Sequence, residues 1–339
     1  MILKKAVFLL LVVFFICMTV TAGGLKVAMA KELKIIMAHY LPPSYKDLFP
    51  VIQEFVDYLN EHGKGKVRIE HYHSGTLLKL RELIPGLMQG TADVVLVLDS
   101  VIMGTYPILG IIELPFLYKD METSYEKLKA GSPLYKLMNQ ELAKKNLFMI
   151  TSLPSLSEYI WTKDRPIRTP DDLKGLRIRV AGRVEARVIK ALGAAPTSTS
   201  SAELYEALKR GTVDGAMCVW STIPARGLQE TVKYVTKAPF AAYSGQVYMR
   251  LDKWKGLPHD VQELFLEAGK NLGKGVLDYS VPFWNTKTWP LIRKGGIQEI
   301  ELTQAEAEEF KKRIKPVWDW WKDLLPPGVG EKAIRLATQ

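Results

Sequence analysis

The stretch DLKGLRIRVAG, Asp172–Gly182, alternates apolar Leu176, Ile178 and Val180 with basic Arg177 and Arg179. Alternate side chains of a strand share a face, so the apolar three point one way and both arginines the other. Downstream, RVEARVIKALG places Val184, Val188 and Leu192 on one helical face, with Gly193 as the stop. Ser200-Ser201-Ala202-Glu203 has the spacing of a capping box and starts the helix AELYEALKRG. TVDGAMCVW is the next strand. Strand, helix, strand is the unit of a mainly parallel sheet covered by helices. The two arginines leave a question open: a solvated strand face, or a guanidinium waiting for an anion.

The same alternation occupies the first half of the chain. LKIIMAHY (Leu33 to Tyr40) reads as a strand stopped by LPP, and a helix follows with Leu48, Val51, Ile52, Phe55, Val56 and Leu59 in register and Gly63 as its end. KVRIEHYH is a strand, TLLKLRELIPGLMQG a helix bent at Pro85, and ADVVLVLD a buried strand. NLFMITSL opens the passage to the second unit, and FAAYSGQVYMRLDKW reads as one strand returning to the first. The helical stretch from Leu257 to Trp289 is long enough to cross between two domains. Two α/β lobes crossed by the chain make a cleft, where small ligands bind. The expected division is 1–30 as a signal peptide, 31–156 plus about 245–284 as lobe I, and 157–244 plus about 285–339 as lobe II.

Composition and ends narrow the function. The N-terminal stretch pairs Lys4-Lys5 with an apolar run to Val20, and Ala28-Met29-Ala30 fits a small-x-small cleavage site, so it reads as a secretory signal. Val20-Thr21-Ala22 is a second possible cut, and an uncleaved anchor is the alternative; Cys17 lacks a convincing lipobox. Loss of Lys4, Lys5 and Lys26 lowers the formal charge from +10 to +7. The basic residues are scattered without interleaved aromatics, which argues against nucleic acid. Cys218 is then the one thiol, so a secreted chain has no internal disulfide and relies on its core.

Signatures of catalysis are weak. There is no G-x-S-x-G, no dinucleotide fingerprint and no HExxH, and EHGKGK lacks the P-loop spacing. No cofactor is expected. Cys218 in an apolar strand reads as inert packing. His71-x-His73 places two imidazoles on one strand face; a metal site is possible there, but solvated or hydrogen-bonded histidines are the simpler reading. Tyr159 and Trp161 share a face if EYIWT is a strand, and Trp220 follows the VDG strand. Trp318, Trp320 and Trp321 read as packing.

Taken in order, AHYLPP, HSGTLLKLRELIPGLMQGTADVVLV, DLKGLRIRVAG, KALGAAPTSTSSAELYEALKRGTVDG and DKWKGLPHDVQE resemble the extracytoplasmic solute-binding proteins of tripartite ATP-independent periplasmic (TRAP) transporters, DctP-type. The resemblance spans nearly all of the chain after the signal. It implies an α/β, two-lobed periplasmic-binding-protein-like fold with a central ligand cleft and a long helix bridging both lobes. It implies a periplasmic receptor, not an enzyme, that captures an organic acid by domain closure and delivers it to the membrane subunits. In the family the arginine of the R-V strand meets a substrate carboxylate, which here is Arg179. A planar guanidinium fork suits that role, and Arg177 is left to solvent. The chain departs from commoner members at Tyr159, where some have an arginine, at Ser201, where an aromatic is usual, and at Cys218, where asparagine is frequent. One arginine, few amides and several aromatics suggest a monocarboxylate with an apolar or aromatic body. The expected contacts are Tyr40, His73 and Ser100 from lobe I, and Tyr159, Arg179, Ser201, Cys218 and Trp220 from lobe II. A monomer is expected. A secreted hydrolase or lyase using His71 and His73, or a ligand-presenting sensor, are the rival readings. Arg179→Ala is expected to fold and lose most acid binding.

Overall fold

A computed structural model describes residues 32–339; the signal-peptide reading falls outside the described residues. Among the described residues, eleven strands form two sheets. The first has the order β2 (Val67–Tyr72), β1 (Leu33–His39), β3 (Val94–Leu98), β10 (Gly245–Arg250), β4 (Leu147–Ser152). The second has the order β11 (Gln298–Glu301), β9 (Tyr234–Tyr243), β5 (Leu156–Thr162), β8 (Gly215–Cys218), β6 (Arg177–Val180), β7 (Ala195–Ser198). Each sheet with its helices is one lobe. Strands such as Val94–Leu98, buried at every position, are apolar without interruption because helices cover both faces.

The sheets are less parallel than the alternation suggests. β10 runs antiparallel to both β3 and β4, and β5 runs antiparallel to both β8 and β9. Both are the strands by which the chain enters a lobe from the other one. The stretch read as one returning strand is in fact two, β9 in the second sheet and β10 in the first, joined by Ser244 alone. Alternation cannot reveal this break, since the pleat continues on both sides of it. The crossing segments lie side by side: Ser244 Oγ donates to Leu153 O at 2.9 Å, and Leu153 N donates to Gly245 O at 3.1 Å. The carboxyl ends of β1, β3, β6 and β8 therefore point toward these crossings, where open α/β sheets bind ligands.

A third crossing is helical. His259–Gly275 packs on the Phe49–His62 helix and β4, and the helix continues through π-helical turns at Val276–Ser280 and Trp284–Thr288 to Lys294. Ser280 Oγ donates to Asp47 O at 2.7 Å and Trp284 Nε1 to Asp47 Oδ2 at 2.5 Å in the first lobe, while Trp289 meets Trp161 and Tyr159 of β5 in the second. Among the described residues no helix is long and apolar enough to cross a membrane.

Local signals are mostly obeyed. The helix Arg183–Ala191 buries Val184 and Val188 and ends before Gly193, whose φ of +89° only glycine adopts without strain. The expected bend at Pro85 is instead a helix start: a 3₁₀ turn at Leu80–Glu82 precedes Leu83–Gln89, and Pro85 sits in the first turn, where its missing N–H costs nothing. In the C-terminal tail, Trp321 is fully buried and donates to Pro107 O at 2.8 Å, and Trp320 lies beneath the Arg187 guanidinium at 4.8 Å. The tail thus spans both lobes.

His71 is half-buried, with both ring nitrogens hydrogen-bonded. His39 Nδ1 accepts from Leu41 N at 3.2 Å, so its proton sits on Nε2, 2.7 Å from His71 Nε2; His71 Nδ1 then donates to Gln53 Oε1 at 3.2 Å. Burial, reinforced by the neighbouring imidazoles, lowers His39 to about 3 and His71 to about 4. The unfolded chain binds these protons below pH 6.5 and the folded one resists them. Their contribution is complete above pH 6.5 and falls as pH drops toward 3 to 4. Relative to His39→Asn, which keeps the acceptor but cannot titrate, the natural protein is expected to lose about 2 kcal/mol of stability between pH 7 and pH 5. Urea unfolding of both proteins at the two pH values measures it; a pH-independent difference refutes the assignment.

Candidate ligand-binding site

The two arginines of β6 meet different fates. Arg177 is half-exposed and forms a two-pronged pair with Asp214, Nε to Oδ2 at 3.0 Å and Nη2 to Oδ1 at 2.8 Å. Arg179 is 4% exposed and, among the described residues, has no ion-pair partner within 4.0 Å. Its Nε donates to Thr199 O at 2.8 Å, just past β7, and Nη1 has only a long contact to Met217 O at 3.5 Å. A buried guanidinium is costly without an anion. The backbone bond orients this fork and leaves most of its donors facing the space between the lobes.

Two connected spaces lie there. An inner cavity of about 20 Å³ is bounded by Tyr40, Tyr45, Glu158, Arg179, Cys218 and Tyr243 among others. It continues into an outer groove of about 710 Å³ that shares Tyr40, Arg179 and Ser201 and adds Ser74, Lys79, Arg81 and Arg226. Contacts across the lobes close the inner one: Tyr40 Oη to Tyr243 Oη at 3.0 Å, Tyr45 Oη donating to Ser201 Oγ at 3.4 Å, and Arg81 Nη2 donating to Ser198 Oγ at 3.1 Å. A larger groove, about 1270 Å³, runs along His259–Gly275 on the outside of the first lobe and contains none of the anticipated site residues.

The expected capping box does not form: the helix begins at Leu204, with Glu203 as its N-cap and no side-chain cap bond. Glu203 instead accepts from Ser200 N, Ser200 Oγ and Thr199 Oγ1 within the turn before the helix. That turn occupies Ser200, and Ser201 Oγ accepts from Tyr45 Oη and from Arg226 Nη2, 3.3 Å away. Arg226 also lies 5.3 Å over the Tyr45 ring, and its Nε is buried without an acceptor.

Of the eight anticipated residues, the fold brings Tyr40, Arg179, Ser201 and Cys218 together. His73 bonds the neighbouring Ser74 Oγ at 2.8 Å, behind the groove wall. Ser100 is buried against Gly182 where the lobes touch. Tyr159 and Trp220 line a different pocket, with Trp284 and Trp289. Tyr45, Tyr243, Arg226, Glu158 and Glu185 escaped sequence reading. Only the order of loops across the cleft could have found them, and no local pattern encodes that.

Burial dominates the electrostatics. It raises the Tyr40 and Tyr243 phenols, so both stay neutral and share one hydrogen bond. It raises Glu158 and Glu185, with the Glu185 charge pushing Glu158 further up and Arg179 pulling both back. Glu185 accepts from Ala181 N at 2.5 Å, so it is the member stabilised as carboxylate. Burial likewise raises the Cys218 thiol, which is 2% exposed. Cys218 is expected to stay unmodified by an aromatic disulfide reagent in the native protein and to react fully in denaturant. Rapid native labelling contradicts its packing role.

A two-lobed α/β fold with an inter-lobe cleft, and in it a buried cation with no ion-pair partner among the described residues, is the architecture of a binding protein. The chain belongs to the DctP family, bacterial extracellular solute-binding protein family 7, whose profile matches residues 37–323. It is 26% identical over 277 residues to a C4-dicarboxylate-binding protein, DctB, of Bacillus subtilis, covering 80% of this chain and 77% of that one. Over 224 residues it is 25% identical to the 2,3-diketo-L-gulonate-binding periplasmic protein YiaO of Escherichia coli, covering 65% and 67%. Its fold matches an extracytoplasmic solute receptor of Bordetella pertussis, described as binding pyroglutamic acid, with a TM-score of 0.80 at 22% identity over 90% of this chain and 99% of that one. A TRAP periplasmic solute binding protein of Shewanella oneidensis with bound succinate matches with a TM-score of 0.78 at 20% identity, over 90% and 99%. The family is one of solute-binding proteins, so the hydrolase reading of His71 and His73 is set aside.

Proposed function

We propose that this protein is a periplasmic receptor that captures a small organic acid by lobe closure and hands it to TRAP membrane subunits. The single observation that carries the reading is Arg179, buried at 4% exposure with no carboxylate within 4.0 Å among the described residues. The substrate carboxylate takes two of its N–H groups. A ligand touching both lobes binds the closed form better and shifts the population toward it. Relatives described as binding dicarboxylate, diketogulonate, succinate or pyroglutamate support the chemical class.

The substrate is a monocarboxylate whose carboxylate meets Arg179 and whose apolar or aromatic body extends past Tyr40 into the outer groove of about 710 Å³. A second acceptor on it, hydroxyl or carbonyl, faces Arg226 Nε. Lobe I comprises 31–156 plus about 245–284 and lobe II 157–244 plus about 285–339. Residues 1–30 are removed on export, and the receptor acts as a monomer. Native mass spectrometry of the mature protein, then thermal-shift screening against an organic-acid panel, tests the reading. A bound acid, or a large shift with one acid and no turnover, is expected. No shift with any acid overturns it.

A further inference from the structure

Tyr159 and Trp220 have a pocket of their own. It measures about 360 Å³, a size suited to a small ligand, and shares no lining residue with the Arg179 cavity. Its walls include Phe116, Tyr118, Tyr159, Trp220, Trp284 and Trp289. Both lobes contribute, as does the bridging helix at its second π-helical turn, a feature that often marks functional positions. Phe116 sits there at a φ of +56°, a strained backbone for a non-glycine residue.

The charges that line it are all negative: Asp120 and Glu122, with no lysine or arginine. Two polar atoms of the wall residues, the Tyr118 hydroxyl and Trp220 Nε1, are buried without a hydrogen-bond partner among the described residues. The nearest precedent is Trp289, which carries the Lys237 ammonium 5.1 Å from its ring centre while Lys237 is paired with Glu299 and Glu301. Indole and phenol faces attract cations, and carboxylates at the rim add to that. An acid of the kind Arg179 takes is disfavoured here.

We infer that this aromatic pocket behind the hinge is a second binding site, for a small organic cation with an apolar body. Its wall is one residue thick. Ser157 and Tyr159 face it while Glu158 faces the Arg179 cavity; Trp220 faces it while Val219 faces the cavity; Ala242 faces it while Tyr243 faces the cavity. An occupant therefore presses on the wall of the carboxylate site and on both lobes at once, and couples to closure.

Three probes with one apolar body separate the chemistry: benzyltrimethylammonium, benzyl alcohol and benzoate, titrated into the mature protein with tryptophan fluorescence as readout. Benzyltrimethylammonium is expected to bind saturably and tightest. The double variant Asp120→Asn, Glu122→Gln, on exposed positions outside the Arg179 site, is expected to weaken it about threefold to fivefold. Tyr159→Leu is expected to weaken it further, with circular dichroism verifying the fold. Equal binding of benzyl alcohol overturns the cation class. No saturable binding of benzyltrimethylammonium, or binding indifferent to all three substitutions, overturns the site. Failure of the carboxylate reading leaves these results unchanged, since they concern a different ligand and different residues.

Discussion

Arg179→Lys is expected to weaken organic-acid binding about a hundredfold while leaving the melting temperature within a few degrees. Lysine keeps the charge but replaces the planar fork with a single point donor. It also loses the Nε bond to Thr199 O that orients the head group. Loss of two charge-assisted hydrogen bonds at about 1.5 kcal/mol each gives roughly that factor. Arg179→Ala differs in a way the sequence did not suggest. The guanidinium pulls the buried Glu158 and Glu185 carboxyls down, and its removal leaves the Glu185 carboxylate uncompensated. The alanine variant is therefore expected to lose binding and, in addition, about 1–3 kcal/mol of stability at pH 7. The expectation of normal folding for it took no account of these acids. Calorimetric titration with the acid found by screening, alongside thermal melts, separates the effects. Lysine binding as well as arginine sinks the fork argument, and an alanine variant as stable as the natural protein sinks the charge argument.

Gly182→Val is expected to block closure without unfolding either lobe. Gly182 has φ −142° and ψ −169°, an extended conformation open to any residue, so backbone strain is no obstacle. The obstacle is across the cleft: a Cβ there would stand 2.2 Å from Ser100 Cβ and 2.7 Å from Ser100 O. Ser100 lies in the short helix Asp99–Ile102 on lobe I, and Gly182 is the N-cap of the Arg183–Ala191 helix on lobe II. The clash exists only when the lobes are together, so the variant is relieved by opening. Affinity is expected to fall about tenfold to a hundredfold, with a scattering profile that stays extended when ligand is added. Gly104→Ala is the control. Its Cβ would meet Arg183 Nη1 at 2.8 Å, the end of a flexible side chain that swings aside, so a change under about threefold is expected. Equal effects in both variants refute steric control of closure at Gly182.

Glu158 shows why the site was only partly legible. Its neighbours Ser157 and Tyr159 face a different pocket, and nothing in SLSEYIW says which side meets Arg179. Tyr45 and Arg226 are distant in sequence and meet only because lobe closure sets the cation 5.3 Å over the ring. Tyr159 and Trp220 were both expected at the Arg179 site; their ring centres lie 5.4 Å apart, but the Arg179 cavity does not include them. His71 lies in β2 and His73 just past it, yet the hydrogen-bond partner of His71 is His39, from the adjacent strand.

The sequence by itself determined most of the elements and their alternation, because periodicity and glycine stops act over a few residues; periodicity left the two arginines of β6 equivalent, and the resemblance to the family singled out Arg179. Its motif order determined the family. Tertiary structure alone decided that the returning strand is two strands in two sheets, that Arg177 is ion-paired while Arg179 has no ion-pair partner among the described residues, and which side of each crossing segment faces which pocket. Those outcomes depend on contacts between residues far apart in the chain. Such contacts form only when the two sheets and the bridging helix pack, and no local pattern carries their sign.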